Sequence, residues 1–273
     1  MGGPTQGLAD LRSGAKHAEA GTSVHDPPST DGDSAGPGTF DPAATALPVF
    51  DLGIAPYEPV QDLQSRLRRA VAAKALPGVV LLLEHEPVIT LGSRGALEDL
   101  CDPERVKSQA IPVIASERGG QVTLHAPGQL VSYLIVPIPR RDLRQFVHDL
   151  EEVLVVLLAG LGVSALRREG RPGLYVEGNK IASVGLRCHR WVASHGTSLN
   201  VDIDLDLFDL IVTCGEPGLR QTSMEAVGGR PYPMPLVKEL YLAAATRVFG
   251  WTLSAPRAIP HTRVEAELGL EEA

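Results

Sequence analysis

A chain of 273 residues with 44% hydrophobic content can bury one sizeable core with appendages, and a formal net charge of −8 argues against broad nucleic-acid binding. Cys101, Cys188 and Cys214 are too few and too scattered for a disulfide framework, so a reducing compartment is the simpler expectation. The first residues lack a basic segment followed by an apolar one, and no run reaches the roughly 18 apolar residues of a membrane span. The expectation is a cytoplasmic protein without a membrane partner.

Thirteen of the first 47 residues are Gly or Pro and only Phe40 is aromatic, a composition that cannot bury a core. Residues 1–47 therefore read as a disordered N-terminal extension, ahead of a globular region at 48–255. Residues 59–75 carry Val60, Leu63, Leu67, Val71 and Ala75 at helical spacing, with Arg66, Arg68 and Arg69 outward. The apolar run 78–84 after Pro77 reads as a buried strand, and 88–91 as its continuation beyond Pro87. His85, between them, reads as a structural histidine. Residues 111–115 form a further short strand.

Gly119-Gly120 permits a turn that residues with a Cβ resist, and its free amides can line a pocket. Strand-like 121–125, the turn pair Pro127-Gly128 and the apolar 130–136 predict a hairpin with Arg118 and His125 at opposite ends of one strand. On these residues alone His125 is a hydrogen-bonded structural histidine. Residues 142–158 repeat Leu143, Phe146, Val147, Leu150, Val153, Leu154 and Leu157 behind a capping Asp142, with Gly160 and Gly162 as stops. That stripe reads as core rather than as a lipid site.

The stretch 178–215 concentrates reactive side chains. Gly178-Asn179, flanked by strand-like runs, predicts a turn that delivers Lys180 to the head of a strand, as a rim residue. Cys214 leaves an apolar segment, with Gly215 letting backbone approach closely. A thiolate is the nucleophile of acyl transfer through a thioester, and opposite charges roughly 4 Å apart at an effective dielectric of about 20 attract by about 4 kcal/mol. A lysine beside a cysteine thus suits that chemistry, although most Lys/Cys pairs in a chain never touch. Farther on, 234–251 predicts a helix with Leu236, Leu240, Ala243, Ala244 and Val248 inward, and 256–273 is a weakly patterned acidic tail. Strands and helices mix without a βαβ rhythm, which predicts an α+β domain with a largely antiparallel sheet. No internal repeat and no Walker-type phosphate loop occurs.

Three blocks in order carry a resemblance: Glu84-His85-x-Pro87-Val88-Ile89-Thr90-Leu91-Gly92, then Arg118-Gly119-Gly120-Gln121-Val122-Thr123 with His125-x-Pro127-Gly128-Gln129, then the stretch from Gly178 to Gly215. In the last, the matching residues are Gly178-x-Lys180-Ile181-Ala182-Ser183, Gly185-Leu186-Arg187, His195-Gly196, Leu199-Asn200-Val201 and Cys214-Gly215. Together they resemble the lipoyl(octanoyl) transferases, which move an octanoyl chain from acyl carrier protein to a lysine of a lipoyl domain.

The resemblance implies the fold of the biotin and lipoate protein ligases: a larger mixed, mostly antiparallel sheet flanked by helices, a smaller sheet beside it, and the acyl pocket between. It implies Cys214 as nucleophile and Lys180 as its partner and later base. The acyl chain would lie against Arg118, Gly119, Gly120, Gln121, Val122, Thr123, Leu124 and His125, against Ser183, Val184 and Gly185, and against Gly196, Thr197 and Ser198. The glycines there would let backbone amides serve as an oxyanion hole.

The implied partners are octanoyl-phosphopantetheine on acyl carrier protein, and lipoyl domains of 2-oxoacid dehydrogenases and the glycine cleavage H protein. No cofactor and no metal is implied, and the spacing of Cys188, His189 and His195 is not that of a common zinc site. His195 fits either a structural or a catalytic role. Arg187, Arg190 and Arg220 flank the implied site and would suit an acidic carrier protein. Ala126 and Thr213 depart from the family's usual glycine and proline, without removing a reacting group. An ATP-dependent lipoate or biotin ligase of the same fold, a noncatalytic relative, and a cysteine hydrolase using Cys214 and His125 are the alternatives.

Overall fold

The computed structural model describes residues 46–270. In chain order it comprises β1 (Val49–Ala55), α1 (Tyr57–Ala72), β2 (Val79–His85), β3 (Val88–Leu91), α2 (Pro103–Ser108), β4 (Val113–Ala115) and β5 (Val122–His125). These are followed by β6 (Gln129–Ile135), α3 (Leu143–Gly160), β7 (Leu166–Arg168), β8 (Arg171–Val176), β9 (Asn179–His189) and β10 (Val192–Asn200). The chain ends with α4 (Met224–Gly228), α5 (Met234–Phe249), β11 (Arg257–Ala258) and α6 (Val264–Glu267). The extension expected at 1–47 lies outside the described residues up to position 45.

The larger sheet has the order β11-β1-β2-β6-β10-β9-β8-β7, and the smaller one β4-β3-β5. Only the β11/β1 and β1/β2 pairs of the larger sheet are parallel, so it is mixed and mostly antiparallel as expected. The unbroken apolar run of β2 follows from cover on both faces. Leu81 and Leu83 join Val131 and Ile135 under Val60, Leu63 and Leu67 of α1. Val80 and Leu82 turn the other way, toward Val153, Leu154 and Leu157 of α3 and Val237 and Tyr241 of α5. Among the described residues no helix is long and apolar enough to cross a membrane.

Several expectations are corrected. The 88–91 strand does not continue the larger sheet: β3 pairs with β4 and β5. Nor do β5 and β6 form a hairpin, because β5 stays with β3 while β6 runs between β2 and β10. The turn between them is pinned from outside, since the Gly128 carbonyl accepts from the Val201 and Asp202 amides and its own amide donates to Glu84. Gly128 has φ +86 and no room for a Cβ against Ile203, so the chain crosses from one sheet to the other instead of folding back.

Arg68 is buried rather than outward, and Leu236 is 41% exposed while Val237 and Tyr241 face the core. The α5 stripe is thus rotated by one residue from the predicted one. The stretch read as a tail is structured as far as residue 270. β11 adds to the edge of β1, and Val264 of α6 is fully buried against the α1 face. Truncation after residue 256 is therefore expected to lower the urea midpoint markedly, and Val264→Ala alone to cost about 2 kcal/mol in the same unfolding titration.

Candidate active site

The predicted residues converge on one cavity of about 510 Å³ between the two sheets. Its walls include Arg118 to Thr123 and His125 from the loop and strand of the smaller sheet. The larger sheet contributes Lys180, Ser183, Val184 and Gly185 from β9 and Gly196, Thr197 and Ser198 from β10, and Cys214 completes the wall. Leu124 is the exception, since it alternates away from the cavity into the core beneath the smaller sheet.

Lys180 is 3% exposed, not a rim residue. The tight turn lies one residue earlier than predicted, at Glu177 (φ 50) and Gly178 (φ 83), which makes it a two-residue type I′ hairpin with Asn179 opposite Val176. A one-residue displacement sends a strand side chain to the other face, here inward. The Lys180 Nζ lies 3.2 Å from the Cys214 Sγ and donates to the Pro172 carbonyl at 3.0 Å. It also stands 5.5 Å from the Tyr175 ring centre. Gly173, next to Pro172, is held by its amide on the Glu151 carboxylate at 2.8 Å.

Cys214 reaches that position from the other layer. Phe208, Leu210 and Ile211 pack with Ile89, Val122 and Leu124 under the smaller sheet, and the Val212 amide donates to the Asp99 carbonyl. The cysteine itself is half-buried and left-handed, with φ 55. For a non-glycine residue that conformation is strained and needs surrounding structure to hold it. Gly215 (φ +62) packs so closely on Gln121 that an added Cβ would collide with its side chain. Thr213, where the family's usual residue is proline, is a buried lead-in to this turn, and Ala126 is absorbed into the core under the smaller sheet.

A hydrogen-bonded frame joins these pieces. The Lys180 amide donates to the Arg220 carbonyl, and its carbonyl accepts from the Thr222 amide. The Thr222 carbonyl accepts from Asn200, Asn200 accepts from Gln129, and Gln129 accepts from His125 Nδ1 at 2.6 Å. On the opposite wall, Arg118 is 8% exposed, with Nε and Nη2 on Thr90 and Nη1 on the Gly119 carbonyl. The Gly119 amide donates to Leu186 of β9, so this amide is already taken and is not part of an oxyanion hole. Gly92 has no Cβ because one would meet the Arg118 guanidinium at 2.7 Å.

Three buried histidines line or back the cavity. His85 donates from Nδ1 to the Ala55 carbonyl and accepts the Tyr133 hydroxyl at Nε2, which makes it structural, as expected. Burial lowers its pKa to about 4, and burial followed by the Arg118 charge lowers that of His195 to about 3. Burial, then neighbouring His85, holds His125 well below the usual histidine value.

Some of the cavity was not foreseen. Leu143 and Val147, assigned to the core stripe, line it instead, as do Arg94, Arg171, Tyr133 and Tyr175. Arg94 stands two residues past the end of the first block, the one signal that could have marked it. Of the three flanking arginines, Arg220 adjoins Lys180 through its backbone, Arg187 is paired with Glu117, and Arg190 lies beside Arg68 and Arg69 at the far tip of the β9–β10 hairpin. Among the described residues no group of three or more His, Cys, Asp or Glu side chains is arranged to hold a metal ion.

The two-sheet frame is that of the lipoate protein ligases. A bipartite lipoate protein ligase from Thermoplasma acidophilum superposes with a TM-score of 0.64 at 14% identity, covering 84% of this chain and 99% of that one. Residues 56–246 match the model of the lipoyl protein ligase A/B catalytic domain. Within that class, the chain is 43% identical over 194 residues to an octanoyltransferase of Syntrophotalea carbinolica, spanning 70% of this chain and 89% of the relative. It is 44% identical over 196 residues to one of Nitratidesulfovibrio vulgaris, with the same coverage. The chain belongs to the octanoyltransferase family and is an acyltransferase.

Two outcomes follow from this geometry. A histidine of ordinary pKa in the unfolded chain takes up a proton near pH 6.5, whereas His85, His125 and His195 do not until far lower. The unfolded state therefore binds more protons below that pH. Stability is full above it and falls with acidification, by about 4 kcal/mol per pH unit between roughly pH 6 and 4.5 if all three contribute, as measured by urea titration. At Gly173 (φ +123) an added Cβ would collide with the Ala182 carbonyl and lie 2.8 Å from Lys180 Cε. Gly173→Ala is expected to slow octanoyl transfer tenfold or more, in a protein that a thermal melt shows to be folded.

Proposed function

We propose that this octanoyltransferase carries the acyl group as a thioester on Cys214, taking it from octanoyl-acyl carrier protein and passing it to a lysine of lipoyl domains such as those of 2-oxoacid dehydrogenases or the H protein. The observation that carries this reading is the 3.2 Å contact between Lys180 Nζ and Cys214 Sγ at the wall of the cavity. The lysine forms no ion pair with a carboxylate among the described residues, so the thiol sulfur is the group beside it that can take a matching charge.

In the first half-reaction the Cys214 proton moves to Lys180, and the thiolate attacks the thioester carbonyl of the carrier-bound acyl group. The tetrahedral intermediate collapses by breaking the bond to the phosphopantetheine sulfur. That leaving thiolate takes the proton from Lys180. In the second half-reaction the ε-amine of the acceptor lysine attacks the enzyme thioester, and neutral Lys180 removes the amine proton. The Cys214 sulfur leaves as thiolate beside the ammonium, which restores the starting pair.

The cavity's apolar side chains, Val131, Val184, Leu186, Leu143 and Val147, provide a surface for hydrocarbon. Burying each methylene of the chain there contributes about 0.8 kcal/mol. His125 is a poorer partner for the thiol than Lys180, since its Nδ1 is committed to Gln129 and the sulfur's hydrogen bond is to the lysine.

The test is an intact mass spectrum after mixing with octanoyl-acyl carrier protein in the absence of acceptor. Wild type is expected to gain one octanoyl group that a lipoyl domain removes, and Cys214→Ser to gain none. Lys180→Ala is expected to slow acylation at least a hundredfold at neutral pH and to change the shape of its pH profile. Transfer that requires ATP and free octanoate instead would replace this reading with the ligase one, and an unchanged Lys180→Ala profile would remove the lysine from the mechanism.

A further inference from the structure

The wall of the cavity runs in a definite order along the β9–β10 ladder. Lys180 stands at its start, Ser183 lies opposite Ser198, Gly185 opposite Gly196, and Leu186 opposite His195. Leu186 lies six positions along the strand from Lys180, about 20 Å between Cα atoms, and the lysine side chain takes up the first part of that span, its Cε reaching the level of Gly173, the partner of Ser183. The two facing glycines line the middle of this path, and their missing Cβ atoms admit the Ser132 carbonyl beside Gly196 and the Arg118 side chain beside Gly185. Immediately beyond them the His195 ring forms part of the wall, 5.7 Å from the Tyr133 ring and edge-on to it.

Three features set His195 apart from the other rings. Its backbone is left-handed, with φ 60, a conformation that glycine would adopt without strain. Its amide is fixed by Gln64 of α1 at 2.8 Å. Finally, its Nδ1 is buried and, among the described residues, has no hydrogen-bond partner, and neither has Gln64 Nε2 beside it. His85, His125 and Tyr133 all have theirs. A strained backbone is thus retained to hold an imidazole, whose polar atoms gain nothing from hydrocarbon, at the far end of a path floored by glycine and serine.

We infer that His195, braced by Gln64 and Tyr133, is the end-stop of the acyl path and sets the length of chain that this octanoyltransferase accepts. This rests on the proposed Cys214 thioester, which fixes where the chain begins. An acyl group of the accepted length ends short of the ring. A longer one must press methylenes on an imidazole that is already buried and braced and cannot move aside, which disfavours it. His195 is in this view a specificity residue without a proton to transfer.

The test compares acylation of Cys214 by octanoyl-, decanoyl- and dodecanoyl-acyl carrier protein, followed by mass spectrometry, in wild type, His195→Gly and His195→Asn. Both replacements tolerate φ near +60°, so either can stand in should the other fold poorly. The ratio of kcat/KM for dodecanoyl over octanoyl is expected to rise tenfold or more in His195→Gly. His195→Asn, which keeps a shorter polar group, is expected to shift the preference toward decanoyl by a smaller factor. An equal loss at all three lengths, or an unchanged length profile in both variants, overturns the inference. Absence of any adduct on wild type would instead overturn the thioester reading on which it rests.

Discussion

The contact between a lysine of one sheet and a cysteine of the other is the constraint around which the molecule is arranged. Lys180 belongs to the antiparallel ladder of the larger sheet, whereas Cys214 follows a segment packed under the smaller one. An error of one ångström in the relative placement of the layers would separate Nζ from Sγ. The crossing at Pro127-Gly128, the bond from Gly119 to Leu186 and the paired bonds from Lys180 to the 220–222 segment all tie layer to layer. All but the Glu84 carboxylate's bond to Gly128 are backbone interactions, which a side-chain substitution elsewhere does not readily loosen.

Positive φ angles at Cys214 and His195 belong to the same logic. Both residues are in a conformation that their side chains resist, and both are flanked by glycines whose missing Cβ makes the surrounding fit feasible. The strain is held in place by the cooperative packing of the two sheets. Function at this cavity therefore draws on stability generated in the α1 and α3–α5 layers, well away from the reacting atoms.

Much of this was legible in the sequence, and the failures have identifiable causes. Periodicity located α1, α3 and α5, and the motif blocks named the cavity wall from the 118–125 segment, β9, β10 and Cys214 but not the part supplied by β6, α3 and the 170–175 segment. Periodicity speaks to spacing within one element and not to which sheet a strand joins, so the β5/β6 hairpin was an error of partnership. Arg68 failed because an arginine at a helical position reads as exposed until a neighbouring strand covers it. Lys180 failed by one residue of turn register, which is enough to exchange rim for interior. Leu143 and Val147 could not be told from core residues, since apolar side chains facing a cavity and facing a neighbour carry the same pattern. The cavity itself arises from contacts remote in sequence.

A clasp joins the segment that enters β1 to the segment that leaves α5. The Leu47 amide donates to Thr252 and the Leu47 carbonyl accepts from Ser254, so the lead-in to β1 and the exit from α5 are stitched together. They lie at the β1 side of the larger sheet, whereas Lys180 and the strands around it lie toward the β8 side. Leu47 therefore enters the domain on the side of the larger sheet remote from the strands around Lys180, and its fastening there draws on none of the strands that carry the reacting side chains.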